Sequence, residues 1–239
     1  MIKMEIVKSK YDELKTLHEY YNSIITNVQF SGRDLKKIVV TSVQPNEGKT
    51  TTSINMAITF AEAGYKTLLI DADTRNSIMS GIFRASERFE GLTSFLTGNA
   101  QLPDVVHETS VSNLMVVPSG KMSPNPTNLL QNSQFNYMMD NLSNIFDYII
   151  VDTAPIGLVI DAAIIAKKCD ASLIVTAAGT TKRRFVQKAK EQMEQSDAQF
   201  LGVILNKVDL RKENYGSYDG YGAYGAYGKQ KHSKVRRRK

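Results

Sequence analysis

The sequence predicts an α/β fold with a doubly wound, mostly parallel sheet, and three observations carry that expectation. Short apolar runs alternate with stretches of helical periodicity along most of the chain. The runs are rich in Ile, Val and Leu without strict alternation, as expected of strands covered on both faces. A Gly48-Lys49-Thr50 triplet stands between one such run and the helical pattern that follows it.

Taken in order, Leu14, Leu17, Tyr21, Ile24 and Val28 recur at helical spacing ahead of the first strand. That helix packs either on its own domain or on a neighbour. Strands are expected over 37–43, 67–73, 113–118, 147–153, 171–178 and 200–206, and helices over 49–63, 127–144, 158–168 and 180–196. Gly64 ends the first of these helices, and Pro124, Asn125 and Pro126 mark a loop. After Asn206 the apolar pattern fades, and Gly and Tyr dominate 215–228. Such a composition cannot bury a core and predicts a disordered tail. The organisation expected is a helical segment over 1–34, a nucleotide-binding domain over 35–210, and a tail over 211–239.

Composition narrows the function classes. The chain has 239 residues, 42% hydrophobic and 23% charged, ordinary for a soluble globular protein with a substantial core. Its net charge of +6 is uneven. Lys229, Lys231, Lys234, Arg236, Arg237, Arg238 and Lys239 carry seven positive charges with no acid among them, so the rest sums to −1. Such a tip binds phospholipid head groups, nucleic acid or acidic protein, or stays solvated. No basic stripe interleaved with aromatics occurs elsewhere, so nucleic acid is not the expected partner. Cys169 is the only cysteine, which excludes an intramolecular disulfide and suits a reducing cytosol. His18, His107 and His232 show no metal-ligand spacing. No signal-peptide run is seen, and the most apolar stretch, 148–166, is broken by Asp152 and Asp161. Membrane association is therefore expected through a partner or the tail.

The chemistry concentrates at Ser42–Thr51, SVQPNEGKTT. Consecutive backbone N–H groups at a helix start point at phosphate oxygens, and the helix dipole favours negative charge. This makes the fold P-loop NTPase-like. Pro45, Asn46, Glu47, Gly48, Lys49, Thr50 and Thr51 form the expected ATP cradle, with Lys49 on the phosphates and the Thr50 hydroxyl on Mg²⁺. Val43 stands where the common pattern has its first glycine, and Pro45 is expected to fix the turn. Two strands end in acids: LLIDAD places Asp71 and Asp73 two apart, on one side, and IIVD ends in Asp152. Strand-end aspartates often only cap helices. Three around a phosphate loop read better as metal ligands and a base.

The loop 41–51, the segment LLIDADTR (68–75) and the segment YIIVDTAP (148–155) resemble the Walker A, A′ and B motifs of bacterial tyrosine kinases. Tyr215, Tyr218, Tyr221, Tyr224 and Tyr227 stand where that family carries its autophosphorylation tail. The overall match is to the stand-alone cytoplasmic kinases of Gram-positive capsule and exopolysaccharide loci. The resemblance implies that Lys49 and Thr50 hold ATP and Mg²⁺, Asp71 is the base, and Asp73 and Asp152 bind or orient the metal. It also implies that Arg75 assists with phosphate charge and that Asn206 contacts the nucleobase; a plain strand-end cap is the other reading of Asn206. Implied partners are a membrane-spanning activator of the polysaccharide co-polymerase type, a cognate tyrosine phosphatase and further copies of the chain. The implied location is cytoplasmic, peripheral at the membrane through the activator.

Two departures stand out. Asn46 replaces the glycine of many relatives, and the ring-forming E-x-x-R-x-x-R pattern runs here through Glu19, Asn22 and Ile25, without either arginine. Two other classes share the fold. A ParA- or MinD-like switch ATPase would carry a second lysine where this chain has Gln44, and would lack the tyrosine cluster. A non-catalytic scaffold for polysaccharide export would not need Lys49, Thr50, Asp71, Asp73 and Asp152 together.

Overall fold

The computed structural model describes residues 3–7, 11, 17–85 and 88–209. The five tail tyrosines and the basic tip lie outside the described residues. The chain divides into two units, Met1–Lys207 and Val208–Lys239, and the sheet belongs to the first.

The strands are β1 (Lys3–Ile6), β2 (Lys37–Ser42), β3 (Thr67–Asp71), β4 (Phe83–Ala85), β5 (His107–Thr109), β6 (Leu114–Val117), β7 (Tyr148–Asp152), β8 (Ala171–Ala177) and β9 (Gln199–Asn206). They form a nine-stranded sheet in the order β4-β1-β5-β6-β3-β7-β2-β8-β9. The six from β6 to β9 are parallel throughout. Only the pairs β1/β4 and β5/β6 are antiparallel.

Period-two alternation in the central strands builds two cores, one on each face. Val39, Leu68, Ile70, Ile149 and Val151 join a cluster with Phe135, Met138 and Ile165. Their neighbours Ile38, Val40, Leu69 and Ile150 join another with Met56, Phe60 and Tyr21. This is why these strands read as unbroken apolar runs.

The helices are α1 (His18–Ser31), α2 (Lys49–Glu62), α3 (Leu92–Leu96), α4 (Leu102–Val105), α5 (Pro126–Gln131), α6 (Ser133–Ser143), α7 (Asp161–Ala166) and α8 (Arg183–Glu194). α1 packs on its own domain: Tyr21, Ile25 and Val28 are buried in the α2-side core, while Leu17 is exposed. Ile25, the last position of the ring-forming pattern, is thus a core residue here.

Three differences from the expected elements have physical reasons. The helix expected over 127–144 is two helices. Asn132 between them is extended (φ −74°, ψ 163°), and its side chain accepts from Phe135 N at 3.1 Å and donates to Leu96 O at 2.9 Å. Asparagine favours such an N-cap over continuing a helix. The helix expected over 158–168 begins only at Asp161, because turns bonded to Pro155 O occupy the start. β1, β4, β5, α3 and α4 were not expected, since segments of three to five residues are too short to show a period.

Asn132→Ala should lower stability by about 1–2 kcal/mol, through the lost cap and the stranded Leu96 carbonyl. The urea midpoint reads this.

Candidate nucleotide and phosphoryl-transfer site

The phosphate loop is the turn from β2 into α2, and its backbone is unusual. Gly48 is left-handed at φ +97°, and a Cβ there would lie 2.0 Å from Asn206 Nδ2, so only glycine fits. Asn46 also has positive φ (61°), a conformation asparagine tolerates better than most residues. No side chain caps the start of the 14-residue α2. Its first N–H groups and the positive end of its dipole are left for an anion.

Glu47 has another task than the one its sequence position suggests. It is only 2% exposed. Its Oε1 accepts from Thr181 Oγ1 (2.6 Å), Thr176 Oγ1 (2.8 Å) and Ala177 N (3.3 Å), and Oε2 accepts from Gln44 N (2.6 Å). The carboxylate therefore ties the loop to the end of β8 and points into the protein. Asn206 Nδ2 donates to Glu47 O at 3.0 Å, and Lys207 Nζ to Asn46 O at 2.5 Å. The expected nucleobase contact, Asn206, is engaged with the loop itself. Pro45 and Asn46 border a cleft of about 440 Å³ that also includes Thr180, Phe185 and Lys207.

Facing the loop, parallel pairing sets Asp71 of β3 beside Asp152 of β7. Both are buried, as is Asp73. Lys49 Nζ pairs with Asp73 Oδ2 at 3.0 Å and lies 3.3 Å from Thr50 Oγ1. Ser53 Oγ donates to Asp152 Oδ1 at 3.0 Å. Asp71 Oδ1 accepts from Asp73 N at 3.2 Å, and Oδ2 accepts from Ser77 Oγ.

The charges gathered here act on Asp71, Asp152 and Lys49. Burial first, and then the Asp152 charge, push Asp71 up to about 7. Burial also raises Asp152, with Lys49 working against it. Burial opposes the Lys49 charge, but Asp152 and Asp73 outweigh it and hold the ammonium above its ordinary range.

Arg75, expected to reach phosphate, turns elsewhere. Its Nε meets Asp161 Oδ2 at 2.7 Å and its Nη2 meets Thr127 Oγ1 at 2.8 Å, while Thr127 donates to Asp161 Oδ1 at 2.7 Å. The group joins the segment after β3 to the starts of α5 and α7. Sequence reasoning missed Ser77, Thr127 and Asp161. Each is a polar residue whose partner is distant in sequence or fits no spacing rule, so only the fold pairs them.

The donors suit the ligands the motifs imply. The uncapped helix start and glycine cradle fit phosphate. The excess of buried carboxylate over cation, all with hard oxygen donors, fits Mg²⁺. Among the described residues no three His, Cys, Asp or Glu side chains are grouped to hold a metal. The ion would complete its shell with phosphate and water, as Mg²⁺ commonly does.

A parallel α/β sheet with this loop, and with acids at the carboxyl ends of adjacent strands, defines a P-loop nucleotide-binding protein. A family model described as "AAA domain" matches residues 35–200. The tyrosine-protein kinase CpsD of Streptococcus agalactiae is 59% identical over 218 residues, covering 91% of this chain and 95% of that protein. The kinase domain of the Escherichia coli tyrosine kinase ETK superposes with a TM-score of 0.76 at 27% identity, covering 84% of this chain and 79% of that one. The chimerical protein CapA2B2 gives 0.74 at 32%, covering 80% and 84%. The chain belongs to the CpsD family of bacterial tyrosine-protein kinases.

Two outcomes test the site's energetics. Glu47→Ala strands the donors of Thr176, Thr181 and Gln44, and should cost about 2 kcal/mol in the urea midpoint while weakening ATP-analogue binding. Asp71 holds its proton more tightly folded than unfolded, so its ionisation erodes stability as pH rises from about 4 to about 7. Asp71→Asn should therefore stabilise the nucleotide-free protein by on the order of 4 kcal/mol at pH 8 and by almost nothing at pH 4. Melting temperatures across that range check the sign.

Proposed function

We propose that Lys49, Thr50, Asp71, Asp73 and Asp152 carry the ATP-dependent phosphorylation of protein tyrosine by this kinase. The proposed acceptors are Tyr215, Tyr218, Tyr221, Tyr224 and Tyr227 in its own chain. The observation that bears most weight is the partly buried Lys49 ammonium, set among three buried carboxylates at an uncapped helix start.

The α2 N–H groups and Lys49 hold the ATP phosphates and gather the charge that develops on the transferred group. Thr50, Asp73 and Asp152 would hold Mg²⁺, which would supply charge neutralisation at the phosphates. The Lys49–Asp73 pair has to loosen as ATP enters, since both partners then gain new ones. Asp71 is the base. A phenol has an unperturbed pKa of about 10 and needs a proton acceptor at neutral pH. Burial and the neighbouring Asp152 raise the affinity of Asp71 for a proton, which suits that task, and Ser77 fixes the orientation of its carboxyl. Arg75 positions the segment bearing Asp73 through Asp161. The cleft beside Pro45 and Asn46, within the size range of ligand pockets, is suited to the nucleoside.

Regulation of capsular or exopolysaccharide synthesis and export follows from the family. Family membership also supports a membrane-spanning activator of the polysaccharide co-polymerase type, a cognate phosphatase and self-association. No helix among the described residues is long and apolar enough to cross a membrane, so membrane attachment is assigned to the activator. Phe30 is 84% exposed on α1, and Leu158 and Ile160 are exposed near the loop, which leaves apolar surface for such partners.

Phosphotyrosine mapping after incubation with Mg·ATP, with and without the activator's cytoplasmic segment, tests the reading. Phosphate on the five tyrosines should appear in the parent chain and be lost, by roughly a hundredfold or more, in Lys49→Met. ATP hydrolysis without phosphotyrosine would indicate a switch ATPase instead.

A further inference from the structure

Three clefts border the site, and they differ in what lines them. Two, of about 310 and 440 Å³, are walled in part by the phosphate loop, including Gln44. The third, of about 250 Å³, includes no loop residue and reaches the site through Asp73 and Ser77. Those two side chains bond respectively to Lys49 and to the proposed base, Asp71. In phosphoryl transfer the attacking and leaving oxygens lie roughly in line across phosphorus. An acceptor must therefore approach from a side that the loop, with ATP, does not occupy.

The walls of this third cleft match an aromatic ring. Phe89, Pro118 and Met122 are apolar, while Ser77 and Ser119 supply hydroxyls. Met122 is 76% exposed at the mouth, an apolar side chain held in water. Thr74, also in the wall, is 5% exposed, and its hydroxyl has no hydrogen-bond partner. At about 250 Å³ the space falls below the roughly 300 Å³ where drug-sized pockets begin. It exceeds the ~150 Å³ cavity known to hold benzene.

The cleft is also firmly built. Leu92 N donates to Pro118 O at 2.7 Å and Thr93 N to Ser119 O at 3.0 Å. Gly91 and Gly120 are pressed together, so that a Cβ on Gly91 would meet Gly120 N at 2.5 Å. Phe89 is braced edge-on by His107, with ring centroids 6.0 Å apart.

We infer that this cleft receives the phenol ring of the acceptor tyrosine, and that Phe89, Pro118 and Met122 are its specificity walls. The inference rests on the kinase reading above and extends it to the acceptor. The occupant is a tyrosine of the 215–227 cluster, where four of the five are followed directly by glycine, a flank small enough for a narrow cleft. With the ring seated, the phenol hydroxyl donates to Asp71, whose carboxyl Ser77 keeps in place. The phenol oxygen bonds to the γ-phosphorus as the bond from that phosphorus to the β,γ-bridging oxygen breaks. The phenol proton goes to Asp71, and the electron pair of the broken bond leaves with ADP.

The test uses the full chain carrying Met122→Glu, which charges the wall, or Ser80→Phe, which fills the mouth. Both positions are exposed, so neither substitution touches the core. Readouts are tail phosphotyrosine by mass spectrometry, KM for a synthetic peptide of residues 213–229, and affinity for a fluorescent ATP analogue. Both variants should slow tail phosphorylation and raise peptide KM about tenfold, with ATP-analogue affinity within about twofold of the parent. Unchanged tail phosphorylation and peptide KM would overturn the assignment. A parallel loss of ATP-analogue binding would overturn it too, by making the cleft part of the nucleotide site. A parent chain that forms no phosphotyrosine would instead refute the kinase reading, and this inference with it.

Discussion

One ammonium group against three buried carboxylates is the constraint around which this site is organised. Among the described residues Lys49 is the only cation in contact with Asp73, and it lies close enough to Asp71 and Asp152 to feel both charges. A buried acid without full compensation is costly unless it keeps its proton or finds a cation. The protein does part of this internally, by hydrogen bonds from Ser53 and Ser77 and by raising Asp71 toward neutrality. The remainder is a standing demand for positive charge, which a metal bound with the nucleotide would meet. The arrangement that weakens the empty fold is thus the one that makes it receptive.

Much of this was legible in the chain because the chemistry demands particular residue types at particular spacings. Gly48, Lys49 and Thr50 are adjacent, Asp71 and Asp73 are two apart at a strand end, and Asp152 closes another apolar run. The central strands were legible for the same kind of reason: burial on both faces leaves no polar alternation to confuse them. What escaped was everything decided by distant partners. Glu47 sits in the motif, yet its carboxylate belongs to Thr176 and Thr181 on the far side of the sequence. Arg75 follows the acids and looks like a phosphate ligand, but Asp161 and Thr127 claim it. Asn132 looked like one more polar residue on a long helix until its side chain was seen bridging Phe135 and Leu96.

These distant partners share a purpose. Glu47 joins the loop to β8, and the Arg75 group joins the segment after β3 to α5 and α7. Two of the three motifs are thereby braced by a polar contact to a neighbouring element. Charged hydrogen bonds of this sort are directional where apolar packing is not. They hold the loop and the acids in a fixed relation before any ligand supplies one.

The place where the polypeptide leaves the sheet is part of that bracing. Asn206 and Lys207, the last residues of the first unit, donate to the carbonyls of Glu47 and Asn46. The end of β9 therefore holds two peptide groups of the phosphate loop as well as its own place beside β8. The edge of the sheet and the rim of the nucleotide site are thus pinned at one place, so that a shift of either carries the other with it.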